Sequence, residues 1–258
     1  MPVHDDNAST VSWARCVDRR SLAPAVRLIC FPFAGAGASI YQDWLLPAEL
    51  NGEVWAVRPP GREGRHGEPD ATRLEELVAA YAAHLVPLLD RPFAFFGHSL
   101  GALAAYEVTR LLRRRGGPLP AHLFVSAFRA PHLPPSRPAI SPLDDARLVE
   151  RLLRMAGPSP SSIRDPELLL FTAPSIRADC ALIERYVYRA EPPLPMPLTA
   201  FGAGDDCEVD LDEVSAWSAH TAGRFRMREL AGGHLFVRDL AGSILTEIAS
   251  ALVLDAYR

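Results

Sequence analysis

The chain alternates short, mostly apolar runs with longer segments in which apolar residues recur every three or four positions. Val26 to Phe31 (VRLICF) is the first such run, and continuous apolar stretches of this length mark strands buried on both faces. It passes into the small-residue loop Pro32 to Ser39 (PFAGAGAS), a segment of helical character over Ile40 to Leu50, and a second strand over Val54 to Pro60 that its prolines stop. Leu74, Leu77, Val78, Tyr81, Leu85 and Leu88 fall at helical spacing, which predicts a core-facing helix that Pro87 kinks or ends. A strand at Phe93 to Phe96, a glycine-flanked turn and a long helix follow. That helix ends at Arg113, Arg114 and Arg115, where positive charge suits the negative pole of the helix dipole. Ala121 to Phe128 supplies a further buried strand. Strand and helix in regular alternation predict an α/β fold, a mostly parallel central sheet with right-handed crossovers and helices on both faces.

The rhythm breaks between about residues 130 and 197. PHLPPSRPAISP is proline-rich, and Asp144 to Met155 and Pro166 to Tyr188 have helical spacing, the second interrupted by Pro174. Asp165 before Pro166 has the form of an N-cap followed by proline at the first helical position. The segment reads as an inserted helical lid. The sheet resumes at Pro197 to Gly204, followed by a helix through Trp217, the alternating strand Arg224 to Leu230, the loop AGGHLF and a closing helix near Ile244 to Leu254. The expected organisation is an N-terminal tail over residues 1–25 and one domain over 26–258.

With 258 residues, 48% of them hydrophobic, the chain can bury the core of one large domain. The net charge is only −4, and the basic residues form no stripe of the kind that phosphate backbones require, so nucleic acid is not an expected partner. The first twenty residues lack the apolar run of a signal peptide, and no window approaches the roughly 20 apolar residues of a membrane span. A cytoplasmic protein that meets no membrane is expected. Cys16, Cys30, Cys180 and Cys207 are widely separated, which reads as four reduced thiols.

Gly97-His98-Ser99-Leu100-Gly101 matches G-x-S-x-G between a strand and a helix. In such an elbow the serine sits in a strained turn with its hydroxyl exposed, and glycines on either side let strand and helix backbones approach. A serine hydroxyl needs a base that takes its proton and later returns one to the leaving group. Among eight histidines, His234 stands out because Gly232 and Gly233 precede it in a loop directly after a strand. His98 reads as packing beside the turn, His4 lies in the tail and His66 in a polar loop. His84, His122, His132 and His220 read as structural or surface residues. The base needs a carboxylate to fix its tautomer. Asp205 and Asp206, after the strand that ends at Gly204, stand in the order Ser, Asp, His of α/β-hydrolases, and the residues alone leave the choice between them open. Acyl transfer also needs two oxyanion donors. The backbone amides of Leu100 and Ala34 are the candidates, the first following the nucleophile and the second lying in the loop after the first apolar strand.

With FPFAGAGAS, PPGREGRHGEP, GHSLG and GGHLF in that order, the chain from about Val26 onward resembles the stand-alone type II thioesterases of polyketide and nonribosomal peptide synthesis. The resemblance implies the α/β-hydrolase fold and selects Asp206, because Asp206-Cys207-Glu208-Val209 leading to Trp217 fits the family's Asp-x-x-Val pattern. Cys207 stands where proline is frequent. Ala34 corresponds to the family's oxyanion alanine. The implied activity is hydrolysis of stalled or misprimed acyl groups from the phosphopantetheine thiol of acyl or peptidyl carrier protein domains of a synthase; no metal or organic cofactor is implied, and a monomer is expected. Residue chemistry by itself gives an ester or thioester hydrolase. The alternatives are a general carboxylesterase acting on free small esters and a non-catalytic hydrolase-fold binding protein. Cleft topology further predicts that Arg113 to Arg115 point away from the site, and that Arg62, Arg65, Arg129 and Arg137, after strand ends, steer an acidic carrier.

Overall fold

Five of the apolar runs and the alternating segment before the AGGHLF loop pair side by side in parallel, and a further strand closes one edge of the same sheet in the opposite direction. The computed structural model describes residues 13–18, 20, 23–157 and 165–256. The strands are β1 (Ala14–Asp18), β2 (Val26–Phe31), β3 (Gly52–Val57), β4 (Phe93–His98), β5 (His122–Ser126), β6 (Leu198–Ala203) and β7 (Phe225–Leu230), in spatial order β1-β3-β2-β4-β5-β6-β7. Only β1 runs antiparallel, with Ala14 opposite Val57. The helices are α1 (Leu74–His84), α2 (Leu100–Arg114), α3 (Asp145–Ala156), α4 (Pro166–Glu184), α5 (Leu211–Ser215) and α6 (Ala241–Ala256).

Successive residues of a strand point to opposite faces, and both faces here are apolar. Ile29, Phe31, Phe95, Leu123 and Val125 pack against α1 and α2. Leu28, Cys30, Val54, Ala56, Phe96 and Phe124 pack on the other side with Tyr41, Trp44 and, from α6, Ile244 and Ile248. A third, small core forms where α3 and α4, both between β5 and β6, meet the rest: Leu148, Ala173, Ile176 and Cys180, with Ala34 against them.

Four local expectations change. The stretch expected as a tail contains β1, because Ala14 and Asp18 are buried at the sheet edge; residues 1–12, with His4, and 19, 21 and 22 lie outside those described. Ile40 to Leu50 makes two single 3-10 turns, Ala38–Tyr41 and Ala48–Leu50, with Pro47 between them. Tyr41 is anchored by its hydroxyl, which donates to the Phe31 carbonyl at 2.7 Å. The helix after Asp210 is five residues long and runs on to His220 as a 3-10 segment. Pro174 does not interrupt α4, which runs unbroken from Pro166 to Glu184 and stops short of Tyr188. Its inward stripe of Leu169, Ala173, Ile176 and Cys180 is buried on both sides of the proline, and that packing outweighs one lost backbone hydrogen bond. Pro87 does take effect: α1 stops at His84 and a 3-10 turn, Val86–Leu88, follows. Asp144 and Asp165 cap α3 and α4, accepting from the amides of Arg147 and Glu167 at 2.9 Å each.

Candidate active site

The carboxyl ends of β2, β4, β6 and β7 lie on one edge of the sheet, and each leads into a loop that carries one part of the site. After β4 the chain turns sharply through Ser99, whose φ of 53° and ψ of −119° lie outside the regions favoured by residues with a side chain. The turn is pinned by the Ser99 amide, which donates to the Ser126 carbonyl at 2.8 Å. Both flanking glycines are demanded by backbone approach. A Cβ on Gly97 would stand 2.1 Å from the Gly101 carbonyl oxygen, and one on Gly101 2.1 Å from that of Phe31.

His234 Nε2 lies 3.1 Å from Ser99 Oγ, and its Nδ1 lies 3.0 and 2.9 Å from the two carboxylate oxygens of Asp206. Asp205 is exposed and Asp206 buried. Asp206 Oδ1 also accepts the amides of Glu208 at 2.8 Å and Val209 at 3.2 Å. Burial alone would raise its pKa, but His234 and the Glu208 amide outweigh it and hold the carboxyl below the usual range. The imidazole is thus fixed from one side and free to meet the serine from the other.

His98 supports this arrangement from beneath. Burial pushes its pKa down to about 3, so the ring is neutral. Its Nε2 donates to the His234 carbonyl at 2.8 Å, which leaves Nδ1 to accept from the Ser126 hydroxyl at 2.9 Å. The expected packing beside the turn is therefore also a strap between the elbow and the histidine loop.

Phe33 to Ala36 form a tight turn, with the Ala36 amide on the Phe33 carbonyl at 3.0 Å and Gly35 at φ 78°. The Gly35 amide is taken by Asp179 Oδ2 at 2.7 Å. The amides of Ala34 and Leu100 make no hydrogen bond among the described residues. Ala34, Ser99 and His234 line one cavity of about 230 Å³, walled by Phe128, Met155, Cys180, Ile183 and Val209. An apolar chamber thus opens onto a serine, a histidine and Ala34, whose amide makes no hydrogen bond with a described residue.

The arginines divide otherwise than predicted. Arg62 and Arg65 are each 6% exposed. Arg62 pairs with Asp70 and Asp179, and Arg65 with Glu68, so neither presents charge to a partner. Arg137 lines the cavity but is paired with Asp210 at 2.7 Å. Arg129 lines it too, lies over the Phe128 ring, gives its Nε to the Leu133 carbonyl and forms no ion pair with a described residue. Arg113 and Arg114 converge with Arg110 on Glu191, more engaged than a solvated helix end. Burial disfavours charge on Glu191, but the three guanidiniums prevail and set its pKa at about 2.

The remaining described histidines have structural partners: His84 stacks on Trp13, His122 on Phe124, His66 reaches the Glu63 carbonyl, and His132 and His220 are bonded to each other at 2.8 Å. None of the four cysteines is in a disulfide. No cluster able to hold a metal occurs among the described residues, and no helix among them is long and apolar enough to cross a membrane. Sequence reasoning missed Asp179. The available signal was a carboxylate beside Ile176 and Cys180 on the apolar stripe of α4.

Comparison with known proteins agrees with this geometry. The thioesterase domain family matches residues 26–252. A protein named linear gramicidin dehydrogenase LgrE, from Brevibacillus parabrevis, is 39% identical over 88% of both chains. Among solved structures, the RedJ thioesterase of the prodiginine pathway in Streptomyces coelicolor is 37% identical, with a TM-score of 0.82 over 88% of this chain and 91% of that one. The type II thioesterase BorB of the borrelidin biosynthetic cluster is 34% identical, with a TM-score of 0.83 over 96% and 99%. A match spanning nearly the whole sheet and every loop that builds the site, at this level of identity, means that the chain belongs to the thioesterase domain family.

Proposed function

We propose that the chain is an editing thioesterase that hydrolyses stalled or misprimed acyl groups from the phosphopantetheine thiol of acyl or peptidyl carrier domains, through an acyl-Ser99 intermediate. The observation that carries this reading is the 3.1 Å approach of Ser99 to a histidine backed by a buried carboxylate, at the wall of an apolar cavity. Ser99 Oγ attacks the thioester carbonyl carbon as His234 Nε2 takes its proton, and Asp206 stabilises the resulting imidazolium. The oxyanion is met by the Ala34 and Leu100 amides. The C–S bond breaks, the carrier thiol leaves with the proton from His234, and a water activated by His234 then releases the acid and restores Ser99. No metal or organic cofactor is called for, and the proposed setting is the cytoplasm.

The dehydrogenase name of one relative raises hydride transfer as a second reading. The loop after β2 argues against a dinucleotide there. Ile40 stands where the third glycine of the phosphate-binding pattern would fall, only one 3-10 turn follows, and the Gly35 amide already meets the Asp179 carboxylate. For the carrier, Arg129 is the cation best placed to meet acidic partner charge at the cavity, which narrows the four arginines first considered to one.

The test is turnover of acetyl- and propionyl-loaded phosphopantetheinyl carrier protein beside the matched free thioesters and simple esters. A higher kcat/KM on the carrier, lost in Ser99→Ala, is expected. Ser99-dependent activity confined to free esters would make the protein a carboxylesterase, and none on any substrate would make it a binding module.

A further inference from the structure

The residue that grips the oxyanion loop comes from the inserted segment rather than from the sheet. Asp179 lies on α4, is 6% exposed, and accepts the Gly35 amide at 2.7 Å across 144 residues of chain. On the same helix Ile176 lies so close that a Cβ on Gly35 would stand 2.4 Å from its Cγ1. Gly35 is therefore seated on one turn of α4 by both a hydrogen bond and a steric contact. Asp179 also borders the small void beneath the elbow, with Phe33, Leu100 and Gly101. Its charge, which alone would oppose an oxyanion nearby, is paired with Arg62 Nη2 at 2.7 Å. Arg62 is held in turn by Asp70 and by the Ser175 carbonyl at 3.0 Å, again on α4.

On the reading of Ser99 as the acylated nucleophile, we infer that Asp179 is a positioning residue: it fixes the Gly35 peptide so that the neighbouring Ala34 amide faces the cavity, and it couples the seating of α4 to the oxyanion hole. Arg62 serves this by neutralising the carboxylate. When α4 is seated, the Phe33 to Ala36 turn is locked and the hole is complete. When α4 shifts, both the acceptor for Gly35 and the Ile176 buttress leave together and one oxyanion donor loses its aim.

The experiment compares Asp179→Ala, Asp179→Asn and Arg177→Ala on a free acyl thioester, with kcat and KM separated and thermal midpoints measured in parallel. Arg177 reaches the Leu143 carbonyl and Asp145 and does not touch the Gly35 loop, so it controls for loss of a charged side chain from α4 with Asp179 and Ile176 left in place. Losing the aim of one oxyanion donor should lower kcat in Asp179→Ala by at least about tenfold with KM within about twofold. Asp179→Asn, which keeps an oxygen for the Gly35 amide, should recover most of that loss, and Arg177→Ala should stay within about twofold of wild type. Asp179→Ser, too short to reach Gly35 but still polar against Arg62, takes the place of the alanine variant if that does not fold. A folded truncation variant with wild-type kcat overturns the inference, as does Arg177→Ala falling equally far or Asp179→Asn faring no better than alanine. Those outcomes leave the thioesterase reading intact so long as Ser99→Ala abolishes turnover. Wild-type protein without Ser99-dependent turnover overturns both.

Discussion

Replacing Asp206 by asparagine is isosteric, and the site's hydrogen bonds determine how the new amide must turn. Oδ1 accepts two backbone amides, from Glu208 at 2.8 Å and Val209 at 3.2 Å. An asparagine satisfies both only by putting its carbonyl oxygen there, which places its NH₂ at the Oδ2 position, 2.9 Å from His234 Nδ1. His234 must then accept at Nδ1 and carry its proton on Nε2, the nitrogen 3.1 Å from Ser99 Oγ. A protonated Nε2 donates to the serine instead of accepting from it, and the imidazolium also loses its counter-charge. A wrong tautomer of this kind costs about four orders of magnitude in kcat, equivalent to about 5.4 kcal/mol at 1.36 kcal/mol per decade. The assay is steady-state thioester hydrolysis by Asp206→Asn beside Asp205→Asn, with thermal midpoints confirming that both are folded. Asp205 is exposed, so its variant should remain within about twofold of wild type, as surface substitutions do. Asp206→Asn retaining more than a tenth of wild-type kcat, or Asp205→Asn losing as much, would refute the reasoning.

Gly101→Ala should cost at least about 3 kcal/mol, because its Cβ would meet backbone rather than a mobile side chain; denaturant unfolding measures it, and a stable variant would contradict the close approach. His98 and His220 are kept neutral chiefly by burial, with pKa values of about 3 and about 4. Since these lie below the unfolded value near 6.5, the stability they contribute is complete above pH 6.5 and is lost as pH falls towards 4. Two such protons give a slope of up to about 2.7 kcal/mol per pH unit. Urea midpoints that fall between pH 7 and 5 bear this out, with a shallower fall in His220→Phe, and a flat profile refutes it. Arg129→Glu should raise KM for acyl-carrier substrate about tenfold while leaving a free thioester within about twofold, a difference that shrinks in high salt; equal effects on both substrates would remove Arg129 from carrier recognition.

The elements legible in the sequence were those whose chemistry is local. The elbow declares itself in five residues because its strain and its two glycines have one geometric cause, and the strands declare themselves because burial on both faces leaves no room for polar alternation. What escaped depends on partners far along the chain. β1 is short and partly exposed, so only its pairing with β3 makes it a strand. Pro174 suggested a break, but the buried residues on either side of it keep α4 whole. Arg62 and Arg65 read as surface charges because Asp70, Asp179 and Glu68, which neutralise them, are recognisable as partners only in the fold. Asp205 and Asp206 could not be separated by chemistry until the turn after β6 directed one of them towards His234.

The most direct test of the account follows the carrier itself. Acyl-loaded carrier protein is incubated with wild-type enzyme or with Ser99→Ala, and its intact mass is read over time. The account predicts that wild-type enzyme returns the carrier to its free-thiol mass while Ser99→Ala leaves it loaded; discharge by Ser99→Ala at the wild-type rate would contradict it.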